Sequence, residues 1–223
     1  MALAIVTGAN SDIGFSICKT LLQKKYKVIG CYYQNKEKIS MIEDPNFKMY
    51  YLNLKNENEI KMLCDGLTID VLINVAAVYF DCDFRVKEKA DFMNCFEVNV
   101  VAPFLLTKYA NVKKNIINIS STDGIDTYNV ISMDYCASKA ALNNLTSTLA
   151  LALPETNVVA LALGWVKTNN LINEDYLKAE MQRVNQKELI ELSLISEYIG
   201  KILDNEYKSG SIIRLDGVNN DVY

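Results

Sequence analysis

The sequence predicts a doubly wound α/β fold: a seven-stranded parallel sheet with helices on both faces. Apolar strand-like runs alternate with helix-like stretches from end to end, which implies right-handed βαβ crossovers. The run Val71–Ala77, bounded by Asp70, suits a strand buried on both faces. A second run, Leu3–Val6, stops at Gly8 and gives way to Ile13, Ile17 and Leu21 at helical spacing.

The elements follow in order. After the first helix ends near Lys24–Tyr26, Lys27–Tyr33 reads as the second strand and Lys48–Leu52 as the third. Asn56–Cys64 is a short helix, and Val71–Ala77 is the fourth strand. Ala90–Tyr109 is helical, Asn115–Ser120 is the fifth strand, and Tyr135–Leu153 is helical again. Val158–Leu163 and Ser211–Leu215 complete the sheet, with helix between about Glu174 and Leu203. Only three prolines occur (Pro45, Pro103, Pro154), and there is no Ser/Gly-rich linker and no repeat. Residues 1–223 are therefore expected to form one domain.

Composition narrows the chemistry. Half of the 223 residues are hydrophobic, 22% are charged and the net charge is −4, as expected of a globular protein with a substantial core. No block of Lys or Arg forms a stripe, which argues against a nucleic-acid partner. No apolar run reaches about 18 residues, so no membrane span is expected. The first strand begins at Ala2, which leaves no room for a cleavable targeting segment, and a cytoplasmic protein is expected. The six cysteines show neither CxxC pairs nor metal-like spacing and read as reduced, mostly buried thiols. No metal is expected. The absence of histidine excludes a Ser-His-Asp triad, a Cys-His pair and a histidine zinc site. Any general acid or base must be Tyr, Lys, Asp, Glu or Cys.

Two motifs carry the function. In Thr7-Gly-Ala-Asn-Ser-Asp-Ile-Gly14, Gly8 follows a buried strand and Gly14 falls at a helix start. Gly8 permits the tight turn, and Gly14 lets the helix N-terminus approach a pyrophosphate, as in the Rossmann dinucleotide fold. Taken alone, this is also an ordinary strand-to-helix turn. Tyr135 and Lys139 stand at i and i+4 at the start of a helix, so their side chains share a face. A tyrosine pKa lies near 10, and lowering it by two or three units takes roughly 3–4 kcal/mol of phenolate stabilisation. A neighbouring ammonium in a partly desolvated cleft supplies much of that, and Lys139 fits the role. Ser121, at the end of the fifth strand, would hold a carbonyl oxygen; alternation sends Ser120 to the other side. The Ser121–Tyr135 separation is absorbed by a loop at Asp126–Val130.

The turn, the Asn99 of Phe96-Glu-Val-Asn-Val100, the segment around Ser121 and the Tyr135/Lys139 pair together resemble the short-chain dehydrogenase/reductase family, and the resemblance runs nearly the whole chain. It is strongest to 3-oxoacyl-(acyl carrier protein) reductases. It implies a ketone reductase or alcohol dehydrogenase using NAD(P)(H), with Ser121, Tyr135, Lys139 and Asn99 catalytic. Tyr135 would donate the proton, Lys139 would also bond the nicotinamide ribose, and Asn99 would anchor a relay water. The implied cofactor contacts are Gly8, Asn10, Ser11, Asp12, Ile13, Gly14, Tyr33, Asn53, Leu54, Asn74, Val75, Ala76, Gly164, Val166 and Thr168, with Tyr135 and Lys139.

Departures from the family pattern are visible. Asp12 stands at the middle glycine of TGxxxGxG, Val75 and Ala77 depart from NNAG, and Leu163 replaces the proline of PGxxxT. A carboxylate near a pyrophosphate is repelled by about 1 kcal/mol at 4 Å in water. At a helix N-terminus it gains roughly 0.3–1 kcal/mol, so Asp12 is tolerable if it points away. The second strand ends without an acid for the ribose 2′-hydroxyl, and Lys36 and Lys38 are near, which favours NADP(H) over NAD(H). Solvated lysines at a helix start are the alternative.

Residues 169–183 are expected to form a substrate flap, with Leu171, Ile172, Tyr176, Leu177 and Met181 on its apolar face. The substrate class stays open between a 3-oxoacyl thioester, another small ketone, and a sugar, polyol or pteridine-like carbonyl. Homo-oligomerisation follows from the family, as dimer or tetramer, although Pro154 and the short Tyr109–Lys114 connection truncate the helices concerned. The alternative from another class is a catalytically silent dinucleotide-binding regulator.

Overall fold

In the computed structural model, which describes residues 2–169 and 173–217, all seven strands lie in one parallel sheet. They are β1 Leu3–Val6, β2 Lys27–Tyr32, β3 Phe47–Tyr51, β4 Thr68–Asn74, β5 Asn111–Ser121, β6 Asn157–Leu163 and β7 Ile212–Leu215. Their order is β3-β2-β1-β4-β5-β6-β7. The chain runs outward from β1 to β3, returns to place β4 on the other side of β1, and then continues to β7. The crevice beyond the carboxyl ends of β1 and β4 is thus the switch point at which such sheets bind ligands.

Among the described residues, seven α-helices cover the sheet: α1 Asp12–Gln23, α2 Glu57–Cys64, α3 Lys89–Phe96, α4 Ala102–Tyr109, α5 Met133–Ala152, α6 Glu174–Arg183 and α7 Leu192–Leu203. Strand alternation sorts the core into two layers. Ala4, Val6, Val71 and Ile73 pack with Ile17, Leu21, Ile195 and Ile199 from α1 and α7. Ile5, Leu72, Ile116 and Val158 pack on the opposite face with Ile60 and Leu106 from α2 and α4. Burial on both faces is what an all-parallel sheet requires.

Boundaries differ from expectation where side chains intervene. β4 ends at Asn74 rather than Ala77, because the N–H groups of Val75 and Ala76 donate to Thr7 Oγ1 (3.1 and 3.2 Å) instead of a ladder. β5 starts four residues early, with Asn111 paired to Thr68. The helix expected over Ala90–Tyr109 contains a π turn at Glu97–Val101. The helix expected from Glu174 to Leu203 is broken after Arg183. Asn185 takes φ +57°, and the Gln186 side chain turns inward to bracket Trp165, accepting from its N–H and donating to its carbonyl, both at 2.8 Å. Leu153 is non-helical ahead of Pro154, as the proline ring requires. All six cysteines are free thiols, with Cys18, Cys31, Cys64 and Cys95 buried. Among the described residues, no helix is long and apolar enough to cross a membrane and no cluster of metal-ligating side chains occurs.

Candidate active site

The switch-point crevice is built by backbone. Gly8 sits at φ +60°, and a Cβ there would lie 2.8 Å from the backbone of Ala76. Only glycine lets the two loops close to this distance. Ser11 caps α1, its Oγ accepting from Gly14 N (3.0 Å), and the first turn of the helix points into the crevice. A cleft of about 420 Å³ follows, lined by Gly8, Asn10, Ser11, Ile13, Tyr33, Leu54, Val75 and Ala76 among the predicted cofactor residues. Asn10 is held by donating to Gln34 O (2.7 Å). A helix N-terminus, a close backbone approach and a long half-apolar trough fit a dinucleotide.

Eight predicted contacts lie off this trough: Gly164, Val166 and Thr168 line a second cleft, Lys139 lies against the Tyr135 ring, and the other four are used elsewhere. Gly14 packs against Gly8 and Ala9 and serves the turn itself. Asn53 is used locally: its side chain accepts from Lys55 N (3.1 Å) and its N–H donates to Glu59 (2.8 Å). Asn74 is buried and donates to Asn118 (2.8 Å), tying β4 to β5. Asp12 is buried away from the trough, where its carboxylate pairs with Lys38 and accepts from Asn169 N (2.6 Å). Sequence reasoning missed Thr7, Tyr32, Gln34 and Tyr79, which also line the trough. Thr7 was legible as the residue preceding the glycine. The others are positioned by the sheet edge and by the loop after β4.

A second cleft, about 320 Å³, opens beside the first and shares Ile13, Tyr79 and Tyr135 with it. Ser121, Gly164, Val166 and Thr168 line it. Ser121 is the last residue of β5, and Ser120 faces away, donating to Lys139 O (3.4 Å). Lys139, 2% exposed, donates to Ile119 O (2.8 Å) with its Nζ 5.4 Å from the Tyr135 ring centroid. Asn99 lies in the π turn and clasps Val78: its Oδ1 accepts from Val78 N (2.8 Å) and its Nδ2 donates to Val78 O (2.9 Å). It also donates to Ser138 Oγ (3.0 Å), so Asn99 joins the loop after β4 to the helix that carries Tyr135. In the loop between Ser121 and Tyr135, Tyr128 takes φ +30° and Arg214 anchors Asp126 (2.7 and 2.8 Å).

The electrostatics correct one expectation. Rather than being made acidic, the Tyr135 phenol is pushed above the ordinary tyrosine value by burial. The Asp123 charge adds to this, and a hydrogen bond with Ser121 opposes it. Burial also lowers Lys139 to about 8. Both charged forms lose water on the same cleft floor, and the ammonium's hydrogen bond is directed at a carbonyl rather than the phenol oxygen. Tyr135 is therefore a protonated group at neutral pH, which suits a proton donor.

Loops complete the second cleft. Tyr176 of α6 meets Trp165 edge-on (6.4 Å between centroids), while Arg183 donates to the carbonyls of Thr127 and Tyr128. The predicted apolar residues Leu171 and Ile172 lie outside the described residues. No residue of α6 is fully buried, so this helix rests on the cleft rather than in the core. On the other side, Lys87 donates to Asp134 (2.7 Å) with both side chains 1% exposed or less. Lys87→Met leaves the buried Asp134 charge uncompensated next to Tyr135. It is expected to cost about 3 kcal/mol, read as a fall in denaturation midpoint; an unchanged midpoint contradicts it.

Comparison with known proteins places this geometry. A family model described as short chain dehydrogenase matches residues 2–177. The chain is 32% identical over 197 residues to the 3-oxoacyl-(acyl carrier protein) reductase FabG of Rickettsia prowazekii (strain Madrid E), covering 81% of this chain and 80% of that protein. It is 27% identical over 234 residues to nodulation protein G of Rhizobium sp. (strain N33), covering 96% and 95%. Among solved structures, 4-hydroxyisoleucine dehydrogenase complexed with NADH matches at 26% identity and TM-score 0.86, covering 97% of this chain and 98% of that one. A dehydrogenase/reductase from Sinorhizobium meliloti 1021 shares the fold at TM-score 0.89 and 24% identity, covering 97% and 94%.

Proposed function

The chain belongs to the short-chain dehydrogenase/reductase family, an oxidoreductase family, and from that premise we propose that it interconverts a small ketone and its secondary alcohol using NAD(P)(H). The observation that carries this reading is the meeting of two clefts at Tyr135, one shaped for a dinucleotide and one holding Ser121. When bound, the nicotinamide supplies the hydride that reduces the carbonyl carbon and is itself oxidised. Ser121 orients the carbonyl oxygen and the protonated Tyr135 donates to it. Lys139 lies under the phenol, and Asn99 holds the Val78 loop and the Tyr135 helix in register. Residues 1–223 act as one unit in this reading, with α6 over the substrate.

A 3-oxoacyl thioester draws support from the likeness to FabG. The modest size of the cleft favours a compact carbonyl, in keeping with the likeness to 4-hydroxyisoleucine dehydrogenase. A silent regulator has no use for a serine and a protonated tyrosine facing one cleft. A homo-oligomer in the cytoplasm is part of the proposal, with exposed Met93, Val101 and Phe104 along the α3–α4 run as the contact face. The test is fluorescence titration with NADPH and NADH, followed by cofactor oxidation against a ketone panel. Binding of neither nucleotide overturns the proposal, and so does binding without ketone-dependent oxidation.

For the nucleotide, we propose a modest preference for NADPH. Among the described residues, no acid lines the trough, but Lys38, one of the two expected cations, is held by Asp12. Asp12→Gly restores the family's glycine and frees Lys38. It is expected to raise the NADPH:NADH ratio of kcat/KM by about 3- to 10-fold, the scale of one ion pair. A ratio that falls or stays constant speaks against Lys38 as the cation.

A further inference from the structure

The substrate cleft has a charge that the resemblance to acyl-thioester reductases does not explain. Asp123 stands two residues beyond Ser121, with its N–H donating to Ser121 Oγ (3.1 Å), and its side chain lines the same cleft as Tyr135. Thr127 Oγ1 donates to Asp123 Oδ1 (2.6 Å); among the described residues, Oδ2 has no hydrogen-bond partner and the carboxylate is in no ion pair. The nearby Arg183 is bridged to Glu180 (2.7 Å). Among the described residues, no Lys or Arg lines the cleft, and Asp81 adds a second carboxylate to its wall.

The rest of the wall is aromatic. Tyr79 meets Tyr135 edge-on at 6.1 Å, and Trp165 meets Tyr176 edge-on at 6.4 Å; all four rings line the cleft. Ring faces attract cations through their quadrupoles, and a carboxylate among them is the usual arrangement for holding an ammonium group. A half-buried carboxylate without a cation costs free energy that a cationic ligand recovers. Anionic ligands meet the opposite: two carboxylates on the wall, with the nearby Arg183 engaged by Glu180 and by the carbonyls of Thr127 and Tyr128.

We propose that the substrate of this cleft is a small ketone or secondary alcohol bearing an ammonium group, which Asp123 and the aromatic wall bind while Ser121 and Tyr135 engage the oxygen. This rests on the ketone-reductase reading for the oxygen, but the ammonium site stands on its own residues. The spacing of Asp123 from Ser121, at most about 7 Å between Cα atoms, puts the nitrogen a few bonds from the reacting carbon. Ammonium binding also places a positive charge beside the carboxylate that holds the Tyr135 pKa up.

The experiment uses the full chain with three ketones of one carbon skeleton: the ammonium form, its N-acetyl analogue and a carboxylate analogue. kcat/KM is measured with whichever nucleotide binds tighter. Binding to the enzyme–nucleotide complex is followed separately through Trp165, the only tryptophan, which lies in the cleft. The ammonium ketone is expected to exceed the N-acetyl analogue by about 10-fold or more, the scale of a charge-assisted contact. In Asp123→Asn that ratio is expected to collapse toward one, and in Asp123→Glu to persist. Equal or better use of the neutral or carboxylate ketone overturns the proposal, as does an Asp123→Asn effect of equal size on all three. If no ketone turns over, the fluorescence titration still decides. Ammonium-selective binding lost in Asp123→Asn keeps the site and removes the ketone-reductase reading; unselective or absent binding removes the site.

Discussion

Tyr135→Phe is expected to bind NADPH and NADH as the unaltered chain does and to lose roughly 10³- to 10⁴-fold in kcat, the range seen when a positioned general acid is removed. The substitution deletes one oxygen at the junction of the two clefts and leaves the ring, its edge contact with Tyr79 and the helix around it in place. Binding should therefore survive, because the nucleotide trough is made mainly by the Gly8 turn, the α1 N-terminus and the Val75–Ala76 backbone. The measurement is paired: nucleotide titration for binding and ketone-dependent oxidation for turnover. A Phe variant with wild-type kcat rules Tyr135 out as the proton donor.

Lys139→Met is expected to move activity and stability in opposite directions. Without the ammonium beneath the phenol, kcat should fall by about 10²- to 10³-fold. The fold, however, carries a cost for holding that charge almost without water. Its folded-state pKa is about 8, below the ordinary lysine value of 10.5, so the folded state disfavours the protonated form. That cost is fully present below pH 8 and is relieved as pH rises from about 8 to 10.5, where the folded chain has lost the proton and the unfolded chain still binds it. A methionine of similar length is expected to stabilise the protein by ~1–2 kcal/mol at pH 7, after the lost hydrogen bond to Ile119 O is counted. The gain should shrink above pH 8. Denaturation midpoints at pH 7 and pH 9.5 check both signs, and a variant less stable at pH 7 contradicts the argument.

These two outcomes separate what side chains do from what the fold does. The fold class, the seven strands and the motif order were legible in the chain, because burial on both faces of a parallel sheet forces continuous apolar runs such as Val71–Ile73. Gly8 was legible for the same kind of reason: its turn tolerates no side chain against Ala76. Strand alternation chose Ser121 over Ser120 and helix phase put Tyr135 and Lys139 on one face, while the resemblance to the family brought the two groups together. Asn74 and Asn53 have partners within the fold that local sequence does not show. Both match the family by position, yet the sheet register turns Asn74 to Asn118 and the following turn occupies Asn53.

The sequence by itself determined the fold class, the exclusion of histidine chemistry and the residue types able to move a proton, since these depend on composition and on periods of two and 3.6 residues. Only the tertiary structure decided the charges. Whether Tyr135 is acidic, whether Lys38 is paired, and whether Asp123 lines the cleft of Tyr135 depend on water access and on partners distant in the chain: Asp12 with Asn169, Lys87 with Asp134, Arg214 with Asp126. Electrostatic energy varies with distance and dielectric, and neither is written in local sequence.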